Sequence, residues 1–465
     1  MVSDEFNAQE IDAVYKQQKE AFYNGSLRSI NERKTRLKKL KSIVQDNEQK
    51  IFDALKADLG KPETESLVSE TAFVIAEIDE ALREIDYWAK PERVAGSLLT
   101  FPSASYIYKD PYGVALIISP WNYPFQLAFA PIVAATAAGN NVVLKPSEIS
   151  ANTSKLLTHL INTNFESSEI FVVEGGVKTT QYLLEKPNDT IFFTGSPQVG
   201  KIIMKAAAEQ LTPVTLELGG KSPAIVDETA NISLAAKKII FGKCLNAGQT
   251  CIAPDYVLVH ESQKNVLYKA LEKSITDFYG RNPKDSPDYA RIINENHFDR
   301  MVEYLKQGKI QAGGETDRTE KFIAPTILEV DNLVASVMQD EIFGPILPVI
   351  AYTKLDDAIE IIRDRAKPLA LYLFTKSKSN RKKVVASIQF GGGTINDTVE
   401  HIINPNLPFG GIGPSGMGAY HGKFGFEAFS HSKSVLKKGS WFDLPLKYPP
   451  YGNKMKWIRQ AFKWA

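Results

Sequence analysis

Apolar residues near the start of the chain recur at helical spacing. Residues 8–58 are rich in Lys, Glu, Gln, Leu and Ala, a composition typical of helices, and Asn24-Gly25 is a natural break within them. The apolar positions that fall at helix-compatible steps are Ile30, Leu37, Leu40 and Ile43. The pattern therefore predicts a helical N-terminal segment.

Farther along, short apolar and β-branched runs alternate with segments of helical composition. A first set of runs lies at 114–118, 141–144, 170–173 and 190–193. A second set follows a Gly-rich junction at 218–220 and includes 222–226, 256–260 and 369–374. This alternation predicts parallel sheets with crossover helices, because strands buried on both faces carry nearly continuous apolar runs. The predicted fold class is α/β, with two α/β domains in tandem.

Two further segments depart from this alternation. Residues 105–108, which turn at 109–113, look like an exposed β-ribbon, and the segment "FSHSKSVLKK" offers a strand that could pair with it. Near the C-terminus, "NKMKWIRQAFKW" places Met455, Ile458 and Phe462 on one helical face and basic residues on another. We interpret this tail as an amphipathic helix that docks on its own or a partner subunit. Contact with a membrane surface and closure over an apolar substrate tunnel are alternatives.

Composition narrows the class of protein. The chain has 465 residues, of which 43% are hydrophobic, so it can bury the cores of two or three packed domains. A net charge of +1 gives no overall field toward nucleic acid. The acidic N-terminus lacks the pattern of a secretion signal, no apolar run reaches the ~18–20 residues of a spanning helix, and two cysteines are too few for a disulfide framework. We therefore expect a cytoplasmic protein with no nucleic-acid partner.

The stretch "SPWNYP" at 119–124 follows an apolar strand directly. Two prolines bracket a turn at the strand's C-terminal end, which is the edge where open α/β sheets bind ligands. Asn122 could aim its amide into a cleft and stabilise a developing oxyanion. On local grounds the simpler interpretation is a turn Asn that satisfies its own backbone.

The stretch "LKPSE" at 144–148 also lies at a strand end. Lys145 and Glu148 can donate to and accept from the vicinal hydroxyls of a ribose, and Pro146 fixes the backbone between them. The alternative makes Ser147 or Ser150 a helix N-cap and Lys145 a solvated charge.

In "FFTGSPQVGK" at 192–201 a strand ends in a turn that contains Gly195, and a helix begins. The glycine permits close backbone approach, and the new helix presents unpaired N–H groups that suit a dinucleotide pyrophosphate. Only Gly195 and Gly200 are present, so the usual G-x-G-x-x-G fingerprint is missing, and a plain turn from strand to helix is the competing interpretation.

The two cysteines require separate interpretations. Cys251, in the polar loop "NAGQTC", could be a buried filler, half of a disulfide, or a nucleophile with thiolate character whose own N–H serves an oxyanion. Cys244 follows an apolar helix-like run and fits the filler role. If 244–251 were helical, the two Cα atoms would lie ~10 Å apart, which disfavours a disulfide.

Glu217, in "TLELGGKSP", lies between a strand and a Gly-Gly turn. Its leucine neighbours predict a partly desolvated carboxylate with a raised pKa, able to act as a base near neutral pH. An ordinary surface Glu at a strand end is the alternative.

Taken together, these stretches resemble the aldehyde dehydrogenase superfamily. The matching segments run in order over nearly the whole chain: "PWNYP", "KPSE", "FTGSPQVG", "LELGGKSP", "GQTC", "EIFGP" at 341–345 and "PFGGIGPSGMGAYHG" at 408–422. The short N-terminus and the segment "YHGKFGFEAFSHSKSV" are most similar to the class 3 branch, whose members oxidise aromatic and medium-to-long-chain fatty aldehydes.

The resemblance implies a role for each matching residue. Cys251 would be the nucleophile, Glu217 the general base, and Asn122 the amide that holds the oxyanion together with the Cys251 N–H. The cofactor-binding residues that it implies are Trp121, Lys145, Glu148, Thr194, Gly195, Ser196, Pro197, Gln198, Val199, Gly200, Glu341 and Phe343. Among these, Lys145 and Glu148 would contact the adenosine ribose, while Glu341 and Phe343 would contact the nicotinamide ribose and ring.

The implied reaction is NAD(P)-dependent oxidation of an aldehyde through a thiohemiacetal and a thioester on Cys251. NAD is the expected cofactor because Glu148 would repel a 2′-phosphate, with NADP as the alternative. No metal is expected, and His421 is interpreted as a structural or substrate-mouth residue. A CoA-acylating or reductive relative and an inactive binding protein are the competing functions. Glu217 argues for water as the acyl acceptor, and the joint presence of Asn122, Glu217 and Cys251 argues against inactivity.

The resemblance also implies a division of the chain. A Rossmann-like NAD-binding domain would comprise 1–98 and 111–214, with 403–425 returning to it, and a catalytic domain would comprise 215–402. Residues 99–110 and 426–446 would form an oligomerisation β-ribbon in a homodimer, and 447–465 the C-terminal tail.

Overall fold

The computed structural model describes residues 6–463, and its N-terminal part is helical as the sequence predicts. The first helix ends at Tyr23, where Gly25 adopts a positive φ of 95°, and the second begins with a capping box between Ser29 and Glu32. The elements of this part are α1 (Ala8–Tyr23), α2 (Ile30–Asp46), α3 (Glu48–Leu59), α4 (Glu63–Ser66), a π-helical turn (Leu67–Thr71), α5 (Ala72–Trp88), β1 (Glu92–Val94) and β2 (Ser103–Pro111).

The first set of apolar runs forms a six-stranded sheet. Its order is β17-β7-β6-β3-β4-β5, and every pair is parallel except β17 with β7. The chain moves outward from β3 to β5 and then returns to β6 on the other side of β3. The point at which the strand order reverses therefore lies between β3 and β6. The elements are β3 (Val114–Ile118), α6 (Gln126–Ala138), β4 (Asn141–Lys145), α7 (Ala151–Asn162), β5 (Ile170–Val172), α8 (Val177–Leu184), β6 (Thr190–Gly195), α9 (Pro197–Glu209) and β7 (Val214–Leu218).

The second set forms a seven-stranded sheet of order β10-β13-β14-β9-β8-β15-β16, in which only β10 runs antiparallel to its neighbour. Its elements are β8 (Pro223–Val226), α10 (Ile232–Cys244), β9 (Tyr256–His260), α11 (Lys264–Tyr279), α12 (Glu295–Leu305), β10 (Lys309–Ala312), the β11 (Thr316–Asp317) and β12 (Phe322–Ile323) hairpin, β13 (Thr326–Glu329), β14 (Ile346–Tyr352), α13 (Leu355–Arg363), β15 (Ala370–Phe374), α14 (Lys378–Ser387) and β16 (Gly392–Ile395). Both sheets confirm the predicted α/β class.

The side chains of β3 show how the first sheet is buried. All five residues are buried, with Ala115 and Ile117 on one face and Val114, Leu116 and Ile118 on the other. The period of two sends alternate side chains into different apolar clusters. One cluster joins the N-terminal helices to the second sheet, and the other lies under α1, α8 and α9.

The C-terminal part completes the fold with β17 (Gly416–Met417), α15 (Gly422–Ala428), β18 (Ser430–Lys438) and α16 (Met455–Lys463). Strand β18 pairs antiparallel with β2, from Ser430 opposite Pro111 to Lys438 opposite Ser103, which is the pairing that the sequence suggests. It forms an exposed edge of a three-stranded sheet with β1 and β2. Helix α16 buries none of its residues. Within 6–463, no helix is both long and apolar enough to cross a membrane.

One predicted domain boundary requires correction. The division at 214/215 falls at the start of β7, whose five residues (214–218) pair in register with β6 of the first sheet. Strand pairing is continuous to Leu218, so the first sheet ends there, and Glu217 belongs to it. Gly416 and Met417, within the 403–425 segment, pair with Glu217 and Leu216 of the same strand.

Candidate active site

A cavity of about 1770 Å³ lies where the carboxyl ends of the first sheet face the second. Loops after β3, β6 and β7 line it, together with the cysteine loop, the 341–343 loop and the helical segment at 64–83. The candidate residues that line the cavity are Trp121, Asn122, Thr194, Gly195, Ser196, Pro197, Gln198, Glu217, Cys251, Glu341 and Phe343. Lys145, Glu148, Val199 and Gly200 are not among its lining residues.

The cysteine loop begins where α10 ends, at Cys244. The chain then takes three consecutive left-handed residues, Asn246 (φ 53°), Ala247 (φ 51°) and Gly248 (φ 78°). A Cβ on Gly248 would lie 2.2 Å from the Gly344 carbonyl oxygen, so only glycine allows the cysteine loop and the 341–345 loop to touch. This route carries Cys251 to the cavity wall and leaves Cys244 buried behind it.

Both cysteines are free thiols, and only one faces the cavity. The disulfide interpretation of Cys251 is therefore wrong in this structure. Cys244 is 1% exposed within the apolar core, which fits the filler role that its sequence context predicts.

The loop after β3 interlocks with the cysteine loop. The buried Asn122 donates from Nδ2 to the Gln249 carbonyl at 3.0 Å, and Asn246 donates from Nδ2 to the Asn122 carbonyl at 2.7 Å. The Tyr123 hydroxyl and Thr250 Oγ1 lie 2.6 Å apart. The interpretation of Asn122 as a turn residue that satisfies its own backbone is therefore wrong. Its amide crosses to the loop of Cys251.

Glu217 lies on β7 with its side chain buried at 3% exposure. Neither carboxylate oxygen has a hydrogen-bond partner among residues 6–463. Burial raises the pKa of Glu217 well above its usual value, because desolvation penalises the charged form and no hydrogen bond from these residues offsets it. An unpartnered buried carboxylate on a cavity wall is unlike an ordinary strand-end Glu, and its lone pairs can accept from a ligand or a water.

The electrostatics of Cys251 differ from the sequence expectation. The polar loop predicts a thiol with thiolate character, but burial raises the pKa of Cys251 to about 12, and the charges of Glu341 and Glu217 add to the shift. The N–H groups of Cys251 and Ile252 oppose it. The expected thiolate character of Cys251 is therefore wrong for the chain alone, because the neighbouring carboxylates disfavour a negative charge on its sulfur. Both carboxylates line the same cavity as Cys251.

The loop after β6 has the features of a phosphate-binding turn. A Cβ on Gly195 would lie 2.5 Å from the Phe193 ring, so this close turn requires glycine. Ser196 caps α9 by accepting from the Val199 N–H, and Pro197 occupies the first turn, where no N–H partner is lost. The positive end of α9 therefore faces the cavity, an arrangement that suits a dinucleotide pyrophosphate.

Val199 and Gly200, which belong to the same "FFTGSPQVGK" motif, lie outside the cavity lining. A Cβ on Gly200 would lie 2.7 Å from Leu218 Cδ2, so this glycine lets α9 pack closely on the sheet. Val199 is 40% exposed. Neither lines the cavity, in contrast to the contact role that the resemblance implies.

Lys145 and Glu148 form an ion pair at 2.6 Å at the end of β4. Lys145 is 4% exposed and Glu148 about half-buried. The pair lies on the strand next to β3, beyond the cavity itself. Ser150 occupies the N-cap position of α7, as the helix-cap alternative predicts, but its side chain makes no capping bond, because the Asp58 carboxylate accepts the Asn152 and Thr153 N–H groups instead.

The 341–343 loop closes the cavity on the side of the second sheet. The Glu341 carboxylate packs so closely on Gly219 that a Cβ there would lie 2.0 Å from Oε2. Burial, and then the Asp255 charge, raises the pKa of Glu341 to about 8. The rings of Phe343 and Trp121 meet edge to face at 5.3 Å, which joins this loop to the one that carries Asn122.

Sequence reasoning missed the N-terminal wall of the cavity. Residues from α4, the π turn and α5 line it, including Glu65, Val68 and Phe73. No local motif marks them, because their contacts lie far away along the chain. His421, interpreted from sequence as structural or at the mouth, is buried beside the Tyr420 ring, with Nδ1 3.2 Å from Glu77 Oε1.

Comparisons with known proteins agree with this geometry. A model of the aldehyde dehydrogenase family matches residues 3–435. The chain is 48% identical over 446 residues to the 4,4′-diaponeurosporen-aldehyde dehydrogenase of Staphylococcus aureus, covering 95% of this chain and 97% of that one. It is 46% identical over 447 residues to the dimeric NADP-preferring aldehyde dehydrogenase of Rattus norvegicus, covering 96% and 99%. The substrate-bound structure of Staphylococcus aureus AldH superposes with a TM-score of 0.95 at 47% identity, covering 97% and 99%.

Proposed function

The chain belongs to the aldehyde dehydrogenase family, whose NAD(P)-dependent oxidation of aldehydes to carboxylic acids it shares, and we propose that Cys251, Asn122 and Glu217 carry out this reaction. The observation that supports the assignment is that one cavity brings the three side chains together, although they come from three different loops or strands. Each side chain has a chemical feature that a step of the reaction requires.

The first step is addition of the Cys251 sulfur to the aldehyde carbon. The S–C bond forms as the carbonyl π electrons move to oxygen, and the thiol proton passes to Glu217, whose raised pKa makes it a suitable acceptor. The oxyanion accepts from the Cys251 N–H and from the Asn122 amide. One Nδ2 hydrogen of Asn122 is engaged by the Gln249 carbonyl, and its second hydrogen serves the oxyanion.

NAD(P), when bound, supplies the acceptor for the hydride that leaves the thiohemiacetal carbon. The chain is then left with an acyl thioester on Cys251. Glu217 first releases the thiol proton to solvent, and this is the net proton of the oxidation. It then holds a water against the thioester and takes a proton from it as the hydroxide adds. The C–S bond breaks, the proton on Glu217 passes to the Cys251 sulfur, and the carboxylic acid leaves. Asn122 and the Cys251 N–H stabilise the second oxyanion as they do the first.

The cavity walls fit the cofactor. The close turn at Gly195 and the α9 N-terminus suit a pyrophosphate, while Glu341 and Phe343 line the same cavity as Cys251 and would hold a nicotinamide ribose and ring. Trp121, Thr194 and the 196–198 turn complete this part of the site. Lys145 and Glu148 would receive the adenosine ribose outside the cavity, and the Glu148 carboxylate favours NAD over NADP.

The substrate is an apolar aldehyde, aromatic or with a medium or long aliphatic chain. Apolar side chains contribute to the cavity lining outside the cofactor turn, including Val68, Phe73, Leu127 and Phe409. They suit a hydrocarbon tail because burying apolar surface provides binding energy without any polar partner.

The assembly is a homodimer in the cytoplasm. The exposed edge of β18 offers unpaired backbone groups to a second copy, and the two free thiols suit a reducing compartment. Helix α16 buries none of its residues in the single chain, so docking on its own subunit is not supported, and it docks on a partner subunit through Met455 and Phe462, which are 53% and 68% exposed. A membrane surface is the alternative that vesicle co-sedimentation of a variant lacking 453–465 would test.

The assignment is tested by following absorbance of the reduced cofactor with aromatic and aliphatic aldehydes of increasing chain length. Cys251→Ala is expected to lose roughly 10³-fold or more in kcat, because Cys251 is the thiol on the described cavity wall that can form the thioester. Cys244→Ala is the matched control, since it removes the other thiol, which is buried behind the cavity wall. Wild-type activity in Cys251→Ala would overturn the mechanism.

A further inference from the structure

A short helical segment from the N-terminal part borders the oxyanion site. It comprises α4 (Glu63–Ser66) and the π turn (Leu67–Thr71), and Thr64, Glu65, Val68 and Ser69 line the cavity. A π turn fits one extra residue into a helical turn, and such turns are frequent at functional sites. The segment carries two carboxylates, the partly buried Glu65 and the fully buried Glu70, which reach different loops of the active site.

Glu65 reaches the cysteine loop. Its Oε2 accepts the Asn246 N–H at 3.0 Å, across 181 positions of sequence. Asn246 and Ala247 both have the left-handed backbone that non-glycine residues avoid, so contacts from outside the loop must stabilise the turn. Asn246 also donates from Nδ2 to the Asn122 carbonyl, which links this turn to the oxyanion amide.

Glu70 reaches the loop of Asn122. It is fully buried, with Oε1 2.6 Å from Lys61 Nζ, and its Oε2 accepts the Gln126 N–H at 2.7 Å. Gln126 is the first residue of α6, and the N-cap residue Phe125 provides no side-chain acceptor. Glu70 therefore caps α6 from a distant helix, where a negative charge suits the helix N-terminus.

Lys61 adds a second contact to the same loop. Its ammonium lies 3.9 Å from the centre of the Tyr123 ring, and Tyr123 in turn contacts Thr250, the residue before Cys251. Lys61 and Glu70 together thus hold the 122–126 turn on the side away from the cavity.

We propose that Glu65 and Glu70 are positioning residues that fix the separation between the Asn122 amide and Cys251. This inference rests on the proposed function. The two oxyanion donors stand on different loops, and the 63–71 segment contacts one loop through Glu65 and the other through Glu70. Misplacing catalytic groups by about 1 Å can cost on the order of 10² in rate, so the effect belongs mainly in kcat.

The first test separates the effect of side-chain length at Glu65 from the effect of its charge. Glu65→Gln keeps an acceptor within reach of the Asn246 N–H, and burial raises the pKa of Glu65 to about 7, so a neutral side chain is a fair substitute near neutral pH. Glu65→Asp keeps the carboxylate but is one methylene too short. We expect kcat to fall roughly 10- to 100-fold in the Asp variant and within about threefold in the Gln variant, with KM for the aldehyde nearly unchanged in both.

The same pair of substitutions at Glu63, an exposed neighbour on α4, is the matched control and should leave kcat unchanged. Hydrogen–deuterium exchange of the 245–251 amides is a readout that needs no activity. These amides should exchange faster in Glu65→Asp than in Glu65→Gln or the wild type. Wild-type kcat and exchange in Glu65→Asp, or equal loss in both variants, would overturn the role of Glu65. If the wild type oxidised no aldehyde, the proposed function would fail, while the exchange measurement would still decide the positioning.

The second test removes charge from both sides of the Lys61–Glu70 pair. Lys61→Met with Glu70→Gln keeps an acceptor for the Gln126 N–H, whereas Lys61→Met with Glu70→Leu is equally uncharged but has none. We expect the first double variant to keep kcat within about threefold and the second to lose roughly tenfold or more, with thermal melting to confirm that both are folded. Equal kcat in two folded double variants would assign Glu70 to stability alone. If the Leu variant did not fold, exchange of the 122–126 amides in the folded Gln double variant would decide, and faster exchange than in the wild type would overturn the proposal.

Discussion

The cofactor wall and the cysteine wall of the site are built in different ways. The cofactor wall comprises the turn after β6, which lines the cavity, and the turn after β4, which lies beyond it. Each turn begins a helix, and the important contacts, such as Lys145 to Glu148 or Ser196 to the Val199 N–H, span three positions. On the cysteine wall, Asn122 bonds across 127 positions to Gln249, and Asn246 bonds across 181 positions to Glu65.

Backbone strain is also distributed unequally between the two walls. On the cysteine wall, Asn246 and Ala247 are consecutive left-handed non-glycine residues, and Phe343 on the adjoining 341–345 loop is a third. Such conformations cost on the order of 1–3 kcal/mol each and persist where neighbouring contacts hold them, which is common at active sites. The nucleophile therefore depends on distant parts of the chain, whereas the cofactor turns are encoded locally. Substitutions should therefore affect the two walls differently.

The largest combined loss of activity and stability is expected from Gly248→Ala. The new Cβ would lie 2.2 Å from the Gly344 carbonyl oxygen, which is backbone and cannot rotate away, so the cysteine and 341–345 loops must separate. We expect kcat to fall at least about 100-fold and stability to fall by about 2–4 kcal/mol, measured by steady-state kinetics and denaturant unfolding.

Gly280→Ala is the matched control, because Gly280 has nearly the same φ of 77°, and a Cβ at this position would meet nothing within 4 Å among the described residues. It should carry a backbone penalty of its own and lose stability, yet keep its kcat. Equal kcat in the two variants would show that contact between the loops is unimportant for catalysis.

This contrast also explains how much the sequence can predict. The strands, the pairing of β2 with β18 and the turns at Gly195 and Lys145 follow from local patterns, since apolar runs and glycine-containing turns carry their own signal. Asn122 is locally ambiguous because its partner is a carbonyl on a loop 127 positions away. The 63–71 segment carries no signal at all, since nothing near Glu65 or Glu70 in sequence reveals what they contact.

Glu217→Gln is expected to separate the two halves of the reaction. Hydrolysis of the thioester needs a base, so steady-state kcat should fall by roughly 10²- to 10⁴-fold. Sulfur addition can still occur, so rapid mixing should show a slowed burst of reduced cofactor with an amplitude near one per site. A variant with neither burst nor turnover would place the whole function of Glu217 before the thioester.

The raised pKa of Glu217 predicts that the stability of the protein depends on pH. Burial raises the pKa of Glu217 in the folded chain, so the folded state holds the proton more tightly than the unfolded state does. Its contribution to stability is therefore complete below about pH 4.5 and is lost as pH rises through the raised value. We expect Glu217→Gln to raise the melting temperature of the cofactor-free protein, and to do so more at pH 8 than at pH 5. A gain that did not depend on pH would show that Glu217 is not titrating as a buried carboxyl.

The smallest effect is expected on the cofactor wall, from Glu148→Ala. The side chain is about half-buried and bonds only to Lys145 in the described part of the chain, so its removal leaves the cavity and the cysteine wall intact. Removing the carboxylate frees the Lys145 ammonium to attract a 2′-phosphate. The ratio of kcat/KM for NADP to that for NAD should therefore rise about tenfold, a change of roughly 1.4 kcal/mol, while kcat with NAD stays within about threefold. Glu185→Ala removes an exposed carboxylate at the end of α8 and should leave the ratio unchanged. If Glu148→Ala lowered kcat as strongly as Gly248→Ala, the two walls would be coupled, and the distinction between local and long-range construction would not extend to function.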